Sequence, residues 1–83
     1  MMWITNAKKA KGAYEILISF NDGKKTLVDL RKTIENDHRP IIRDLLDTNL
    51  FNSFTLAHDT VCWKNGVDFA PEYLYEIGNI EQV

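Results

Sequence analysis

Residues 13–30 read Ala13-Tyr14-Glu15-Ile16-Leu17-Ile18-Ser19-Phe20-Asn21-Asp22-Gly23-Lys24-Lys25-Thr26-Leu27-Val28-Asp29-Leu30, two strand-like segments joined by a short polar turn. In the first segment every second side chain is large and apolar, which is the period of a strand with one buried face. The turn contains Gly23, which can adopt a positive φ angle without steric cost. The sequence therefore predicts a β-hairpin over residues 13–30.

The segments on either side of this hairpin extend it. Before it, Trp3–Lys8 has the composition of a third strand, connected through Lys11-Gly12. The three strands together predict an antiparallel meander. After the hairpin, Asp29 is placed to cap a short helix over Leu30–Glu35, because its side-chain oxygen can accept a free backbone N–H.

The second half of the chain contains turn and helix signals at short intervals. Pro40 is favoured at the first position of a helix, and four apolar residues follow at helical spacing. Asp47-Thr48-Asn49 is predicted to end that helix. The remaining predicted elements are strands Ser53–Leu56 and Thr60–Trp63, a turn at Asn65-Gly66, and a helix that Pro71 opens over Glu72–Ile77 and Gly78 closes.

This order predicts an α+β fold in a single domain, residues 1–83. The expected sheet is small and antiparallel, a three-stranded N-terminal meander plus a short C-terminal strand pair, packed with two or three short helices. The strands are clustered along the chain instead of alternating with helices, which argues against a parallel sheet.

The composition narrows the function classes. The one cysteine, Cys62, excludes an intrachain disulfide. The start of the chain lacks a signal-peptide pattern, and no apolar run is long enough to span a bilayer, so we expect a cytoplasmic protein. Residues 1–32 contain seven Lys/Arg against three acids, and residues 33–83 contain three against nine. This asymmetry has two interpretations. Either the charged halves contact a partner, or the two halves interleave in the fold so that their charges mix.

The residues that could bind metal or act as nucleophiles do not form a recognised pattern. His58 and Cys62 are four residues apart, which on an extended strand is too far to share one ion, and His38 is distant in sequence. Cys62 lies between Val61 and Trp63, where a lone cysteine usually acts as a small core residue. We expect neither a metal nor a cofactor.

Two features of the last third have both a functional and a structural interpretation. Asp68, Glu72 and Glu76 recur every four residues, so on a helix they would line one face, which either meets a basic partner or is solvated. Trp63 precedes a turn, where it is either an exposed binding platform or the end of the core.

The order of these motifs resembles a bacterial family, domain-of-unknown-function family 2442. The resemblance rests on Phe20-Asn21-Asp22-Gly23 with Val28-Asp29-Leu30, on residues 46–51, and on the run from Trp63-Lys64-Asn65-Gly66-Val67-Asp68 to Glu76. The chain differs at Lys64, where the family commonly has proline. The resemblance implies a compact α+β fold, a small bacterial protein and gene pairing similar to a toxin–antitoxin arrangement, and it implies no catalytic residue.

Three functional hypotheses follow. The preferred one is a non-enzymatic module that binds another small protein, through residues Trp63, Asn65, Asp68, Glu72, Tyr73, Tyr75 and Glu76. The second is nucleic-acid binding through Lys8, Lys9, Lys11, Lys24 and Lys25, which the low net charge makes the weaker alternative. The third is a small enzyme that uses the carboxylates of Asp22, Asp29 and Asp68. A homodimer is compatible with an open sheet edge.

Overall fold

The computed structural model describes residues 1–80 and confirms the α+β fold. The strands are β1 Ile4–Lys9, β2 Glu15–Phe20, β3 Lys25–Asp29, β4 Thr55–Ala57, β5 Thr60–Cys62 and β6 Asn79–Ile80. The helices are α1 Arg31–Glu35, α2 Pro40–Arg43, α3 Thr48–Phe51 and α4 Pro71–Ile77, with a 3-10 turn at Asp44–Leu46. One sheet has the order β1-β2-β3-β6, and β4 and β5 form a second sheet.

The predicted meander is present and antiparallel throughout. Ile16, Ile18 and Phe20 on β2 are buried, because they share the face that the helices cover. Gly23 has a φ of +87°, as the turn between β2 and β3 requires. The N-cap of α1 is Leu30, not the predicted Asp29, but Asp29 accepts a hydrogen bond from the N–H of Arg31 at 2.9 Å and so supports the start of the helix.

The helical segment after Pro40 is shorter than the sequence pattern predicts. The helix passes into a 3-10 turn after Arg43, and a separate helix, α3, follows it. Residues 47–49 follow the end of the 3-10 turn at Leu46, as predicted, but they also contain the start of α3, which the sequence pattern did not predict. The side chain of Asp47 accepts the N–H of Asn49 at 2.9 Å, so this residue caps the start of α3.

The second hairpin, β4–β5, turns through two residues in the left-handed region. His58 has a φ of +54° and Asp59 a φ of +68°. Positive φ at both central positions is the geometry of a type I′ turn, whose twist matches the twist of the flanking strands. The carbonyl of Asp59 accepts the N–H of Ile4 at 3.0 Å, which joins the second hairpin to the edge of the first sheet.

Gly78 ends α4, but for a different reason from the predicted one. Its φ of −78° and ψ of 157° are extended, so it is not a left-handed helix cap. A Cβ atom at this position would lie 2.9 Å from the Cβ of Thr26 and 3.0 Å from a methyl group of Val28. Glycine is required because β6 begins here and its backbone passes directly against β3.

The core lies between the four-stranded sheet and the helices and extends under the second hairpin. Its aromatic centre is Phe51 and Trp63, whose ring centroids are 5.6 Å apart. Trp63 is 3% exposed, and its indole N–H donates to the carbonyl of Phe51 at 2.8 Å. Within residues 1–80 no helix is long and apolar enough to cross a membrane.

Candidate functional site

A shallow groove lies between two segments that are distant in sequence. One side is formed by α1 and the connection to α2, and the other by the turn after β5 and the start of α4. Three adjoining depressions of about 350, 240 and 320 Å³ share lining residues along it. We call this surface the α1–α4 groove, and its shared lining residues are Thr33, Asp37, Arg39, Asp68, Phe69 and Tyr73.

An aromatic pair forms one wall of the α1–α4 groove. The rings of Phe69 and Tyr73 are stacked, with centroids 6.1 Å apart and an angle of 23° between their planes. Behind them, Phe69 contacts Trp63 edge to face at 5.8 Å, so the pair rests on the core. Tyr73 remains 38% exposed, and a rigid aromatic ring that rests on the core and faces solvent is a typical interface anchor.

An ion pair forms the opposite side of the groove. The guanidinium of Arg39 donates to both carboxylate oxygens of Asp37, at 3.0 and 2.7 Å, and the backbone N–H of Arg39 donates to the same carboxylate at 2.9 Å. These hydrogen bonds lower the pKa of Asp37 to about 2. The Asp37 side chain is largely covered, whereas that of Arg39 is 69% exposed. Its guanidinium is therefore held in place and still open to a ligand.

The predicted interaction residues divide between the groove, the core and the exposed helix face. Asp68 and Tyr73 line the groove. Asn65 is half-buried beside it, donating to the carbonyl of Ile41 at 3.2 Å and accepting the N–H of Val67. It therefore holds the turn against α2.

Trp63 and Tyr75 have structural contacts that the sequence did not indicate. Of the two interpretations of Trp63, the structure agrees with the core one, because its ring is buried and its N–H is used internally. The Tyr75 hydroxyl donates to the carboxylate of Asp22 at 3.0 Å, and its ring packs edge to face on Phe20 at 4.9 Å. Tyr75 thus fastens α4 to the β2–β3 turn.

The predicted row of carboxylates, Asp68, Glu72 and Glu76, lies only partly on a helix. Glu72 and Glu76 are exposed on α4, but Asp68 precedes the helix and forms an isolated bridge with Cys62. The three carboxylates therefore do not form one continuous face of a helix, and the expectation that they do was wrong. The bridge places Asp68 on the groove instead.

The lysines of the nucleic-acid hypothesis occupy two separate places. Lys8, Lys9 and Lys11 lie on β1 and the turn after it, and Lys24 and Lys25 lie at the opposite end of the sheet, where β3 begins. Glu15 and Asp29, which are paired across β2 and β3, lie at the same end of the sheet as the first group. The five lysines do not form one continuous basic patch.

The carboxylates of the enzyme hypothesis are also separated. Asp22 lies in the turn before β3 and Asp29 at its other end, so they are roughly 16–20 Å apart along the strand. The pKa of Asp22 is lowered, first by the N–H of Lys24 and also by Tyr75. Among residues 1–80, no group of three His, Cys, Asp or Glu side chains is placed to bind a metal ion.

Several groove residues were not predicted from the sequence, namely Thr33, Asp37, Arg39 and Ile41. A signal was available in Asp37-His38-Arg39-Pro40, where an aspartate two residues before an arginine can form a local turn with it. The 45% exposure of Ile41 beside this turn could not have been inferred, since its neighbour Ile42 is buried on the same helix.

The fold and the groove define a small α+β domain with an exposed aromatic wall and a charged rim. The family described as a protein of unknown function, DUF2442, matches residues 9–79, and the chain belongs to this family. No curated protein matches the chain. No solved structure matches it either.

Proposed function

We propose that this protein is a non-enzymatic interaction module that binds another small protein through the α1–α4 groove. The main support for this proposal is the environment of Tyr73. This tyrosine is exposed, stacks on Phe69 and is supported by the core through Phe69. Binding energy at protein interfaces concentrates on such aromatic anchors and on arginines, while the surrounding contacts contribute little.

The chemistry of the groove supports a protein ligand over a small molecule. The groove is open and shallow, whereas small-molecule sites enclose most of the ligand surface. Its centre combines aromatic surface with the apolar side chain of Ile41, and its rim has both signs of charge, in Arg39, Asp37 and Asp68. An apolar centre with a polar rim is the usual anatomy of a protein–protein interface.

Preorganisation is a second argument for this site. The Asp37 carboxylate fixes the Arg39 guanidinium by two hydrogen bonds, and Thr33 contacts the Tyr73 hydroxyl at 2.9 Å. Side chains that are already ordered lose less conformational entropy on binding. The gene pairing implied by the family resemblance agrees with a small partner protein, and an antitoxin-like role is one form that such an interaction would take.

The test is an affinity capture with tagged protein from native lysate, carried out with and without nuclease and analysed by mass spectrometry. We expect one dominant small protein with the wild type, and at least a roughly tenfold loss of its binding with Tyr73→Ala or Arg39→Glu. Leu56→Ser is the matched control, because Leu56 is similarly exposed but lies outside the groove.

The purified partner is then titrated against each variant, and thermal unfolding checks that each variant is folded. Full binding by both groove variants would contradict the site. Recovery of nothing but nuclease-sensitive material would contradict the proposed function itself and favour nucleic acid.

A further inference from the structure

The outer edge of β1 has backbone hydrogen-bonding groups that are directed away from the sheet. The N–H of Ala10 donates to the carbonyl of Glu15 on the β2 side at 2.9 Å. In an antiparallel pair, residues that bond to the partner strand alternate with residues that do not. Counting back from Ala10, Lys8 bonds to β2, whereas Ala7 and Lys9 direct their N–H and C=O groups outward.

The second hairpin lies beside β1 and is hydrogen-bonded to it at the beginning of the strand. Asp59 accepts the N–H of Ile4, and β1 is paired with β2 alone. In the part of the chain that the structure describes, the outward groups of Ala7 and Lys9 have no backbone partner. Lys8 and Lys9 are exposed, so solvent reaches this part of the strand.

Positive charge is concentrated along the same edge. Lys8 and Lys9 lie on β1, and Lys11 lies two residues beyond its end. No carboxylate within residues 1–80 lies at ion-pair distance from any of these three ammonium groups. The Lys9 ammonium instead donates to the carbonyls of Ala10 and Gly12.

We propose that the β1 edge, residues Thr5–Lys9, is a strand-addition site for an extended acidic segment of a partner protein. An added strand receives main-chain hydrogen bonds from the outward groups of Ala7 and Lys9. Acidic side chains on that strand neutralise Lys8, Lys9 and Lys11, because opposite charges on adjacent strands attract.

The same lysines argue against a second copy of this chain as the occupant. Pairing β1 with β1 of another molecule would place lysines opposite or diagonal to lysines, and like charges at that distance are destabilising. Lysines on an edge strand are a common means of preventing such self-pairing. They therefore select against a copy of this chain and in favour of an acidic strand.

This edge shares no residue with the α1–α4 groove, and the proposal goes beyond the function proposed for that groove. The two surfaces can be tested separately. Tyr73→Ala, which is expected to weaken binding at the groove, is expected to leave binding at the β1 edge unchanged.

The experiment selects binders from a library of random linear peptides displayed against the intact protein at low salt. We expect the enriched peptides to be acidic, free of proline and rich in β-branched residues. With a synthetic peptide of the enriched sequence, hydrogen exchange at the amides of Ala7 and Lys9 should slow by about tenfold or more. A peptide N-methylated at alternate positions should bind less well, since it lacks the donors that a strand requires.

Charge reversal provides the matched variants. The double substitution of Lys8→Glu with Lys9→Glu should weaken peptide binding by roughly tenfold or more. Lys24→Glu with Lys25→Glu makes the same charge change at the opposite end of the sheet and should change binding little.

Each of the following results would overturn the proposal: no enriched peptide, enriched peptides without acidic residues, protection at Phe69 and Tyr73 in place of Ala7 and Lys9, or equal losses for both double variants. A protein that forms dimers with protection at Ala7 and Lys9 would identify a second copy as the occupant and would also overturn it.

Discussion

The hydroxyl groups of Thr33 and Tyr73 lie 2.9 Å apart, although forty residues separate them in the sequence. This contact joins α1 to α4 at the edge of the α1–α4 groove. It holds the Tyr73 ring in one orientation, and it couples the wall of the groove to the helix that precedes the Asp37–Arg39 turn. The geometry of the proposed site therefore depends on a tertiary contact.

The coupling between these two hydroxyls can be measured by a double-mutant cycle. Thr33→Val and Tyr73→Phe each remove one partner and leave the shape of the side chain nearly unchanged. We expect an interaction free energy of about 0.5–1 kcal/mol in chemical denaturation, the usual net value of a neutral hydrogen bond. Fully additive losses would show that the contact is not formed in solution.

Two buried threonines are expected to respond oppositely to valine. The hydroxyl of Thr26, which is fully buried, has no hydrogen-bond partner among the described residues. Thr26→Val should therefore raise the free energy of unfolding, by about 1 kcal/mol. The matched control is Thr60→Val, since Thr60 donates to the carbonyl of Phe69 at 2.5 Å and its loss should cost about 1–3 kcal/mol. Destabilisation by both substitutions would contradict this account of Thr26.

Gly78 is expected to tolerate no side chain. The Cβ of Gly78→Ala would lie 2.9 Å from Thr26 on β3, and overpacking of this kind typically costs about 1–3 kcal/mol. In Gly12→Ala the new Cβ would have one close contact, the Cβ of Glu15 at 3.0 Å, with the next atoms at 3.4 Å, so the loss in thermal stability should be smaller. Equal losses at the two positions would show that β6 does not pack against β3 as described.

Substitutions in the turn between β4 and β5 are expected to stabilise the protein. His58 and Asp59 both have positive φ angles, and Asn-Gly is the preferred pair in a type I′ turn. His58→Asn with Asp59→Gly should raise the free energy of unfolding by about 0.5–1 kcal/mol. His58→Val should lower it, because a β-branched residue is strongly disfavoured at positive φ. Stabilisation by valine would contradict the left-handed turn.

Asp37 should make the free energy of unfolding depend on pH in the acid range. Its pKa is lowered from an ordinary value of 3.8 to about 2 by hydrogen bonds from Arg39. A lowered pKa in the folded state means that the carboxylate stabilises the fold above about pH 4 and loses that contribution as the pH falls toward 2. NMR titration of the Asp37 carboxyl carbon should show this midpoint, and Arg39→Met should return it toward 3.8. An ordinary midpoint in the wild type would show that the ion pair does not form.

The N-terminal meander could be predicted from the sequence because its information is local. Alternating apolar residues define β2, and the turn chemistry at Gly23 fixes where the chain reverses. The pattern needs no knowledge of distant residues, since each strand pairs with its neighbour in sequence.

The errors occur where a tertiary contact decides the structure. Asp47 ends the preceding helical segment as predicted, but its carboxylate also caps a further helix, α3, whose Phe51 is fully buried. The sequence allows two equally reasonable interpretations of Trp63, and the carbonyl of Phe51 that accepts its indole N–H decides between them. Gly78 follows a helix, but its extended conformation depends on the approach of Thr26.

The candidate site was predicted only in part, because tertiary contacts bring its two sides together. Asp68 and Tyr73 were identified because they lie in a distinctive run of residues. Their partners across the groove, Thr33, Asp37 and Arg39, lie 29 to 40 residues earlier in the sequence (68 − 39 = 29, 73 − 33 = 40), and no periodicity relates the two segments. They come together only in the folded chain, where α4 lies against β3 and the Tyr73 hydroxyl reaches Thr33 on α1.

The contrasting positions of the two tryptophans give this protein a pair of internal fluorescent reporters. Trp63 is enclosed and its indole N–H is bonded to a carbonyl, whereas Trp3 is 40% exposed just before β1. Emission from the enclosed indole will report the integrity of the core without any label. Emission from Trp3 will respond to changes beside the N-terminal strand, so one protein carries separate optical signals for unfolding and for events near its sheet edge.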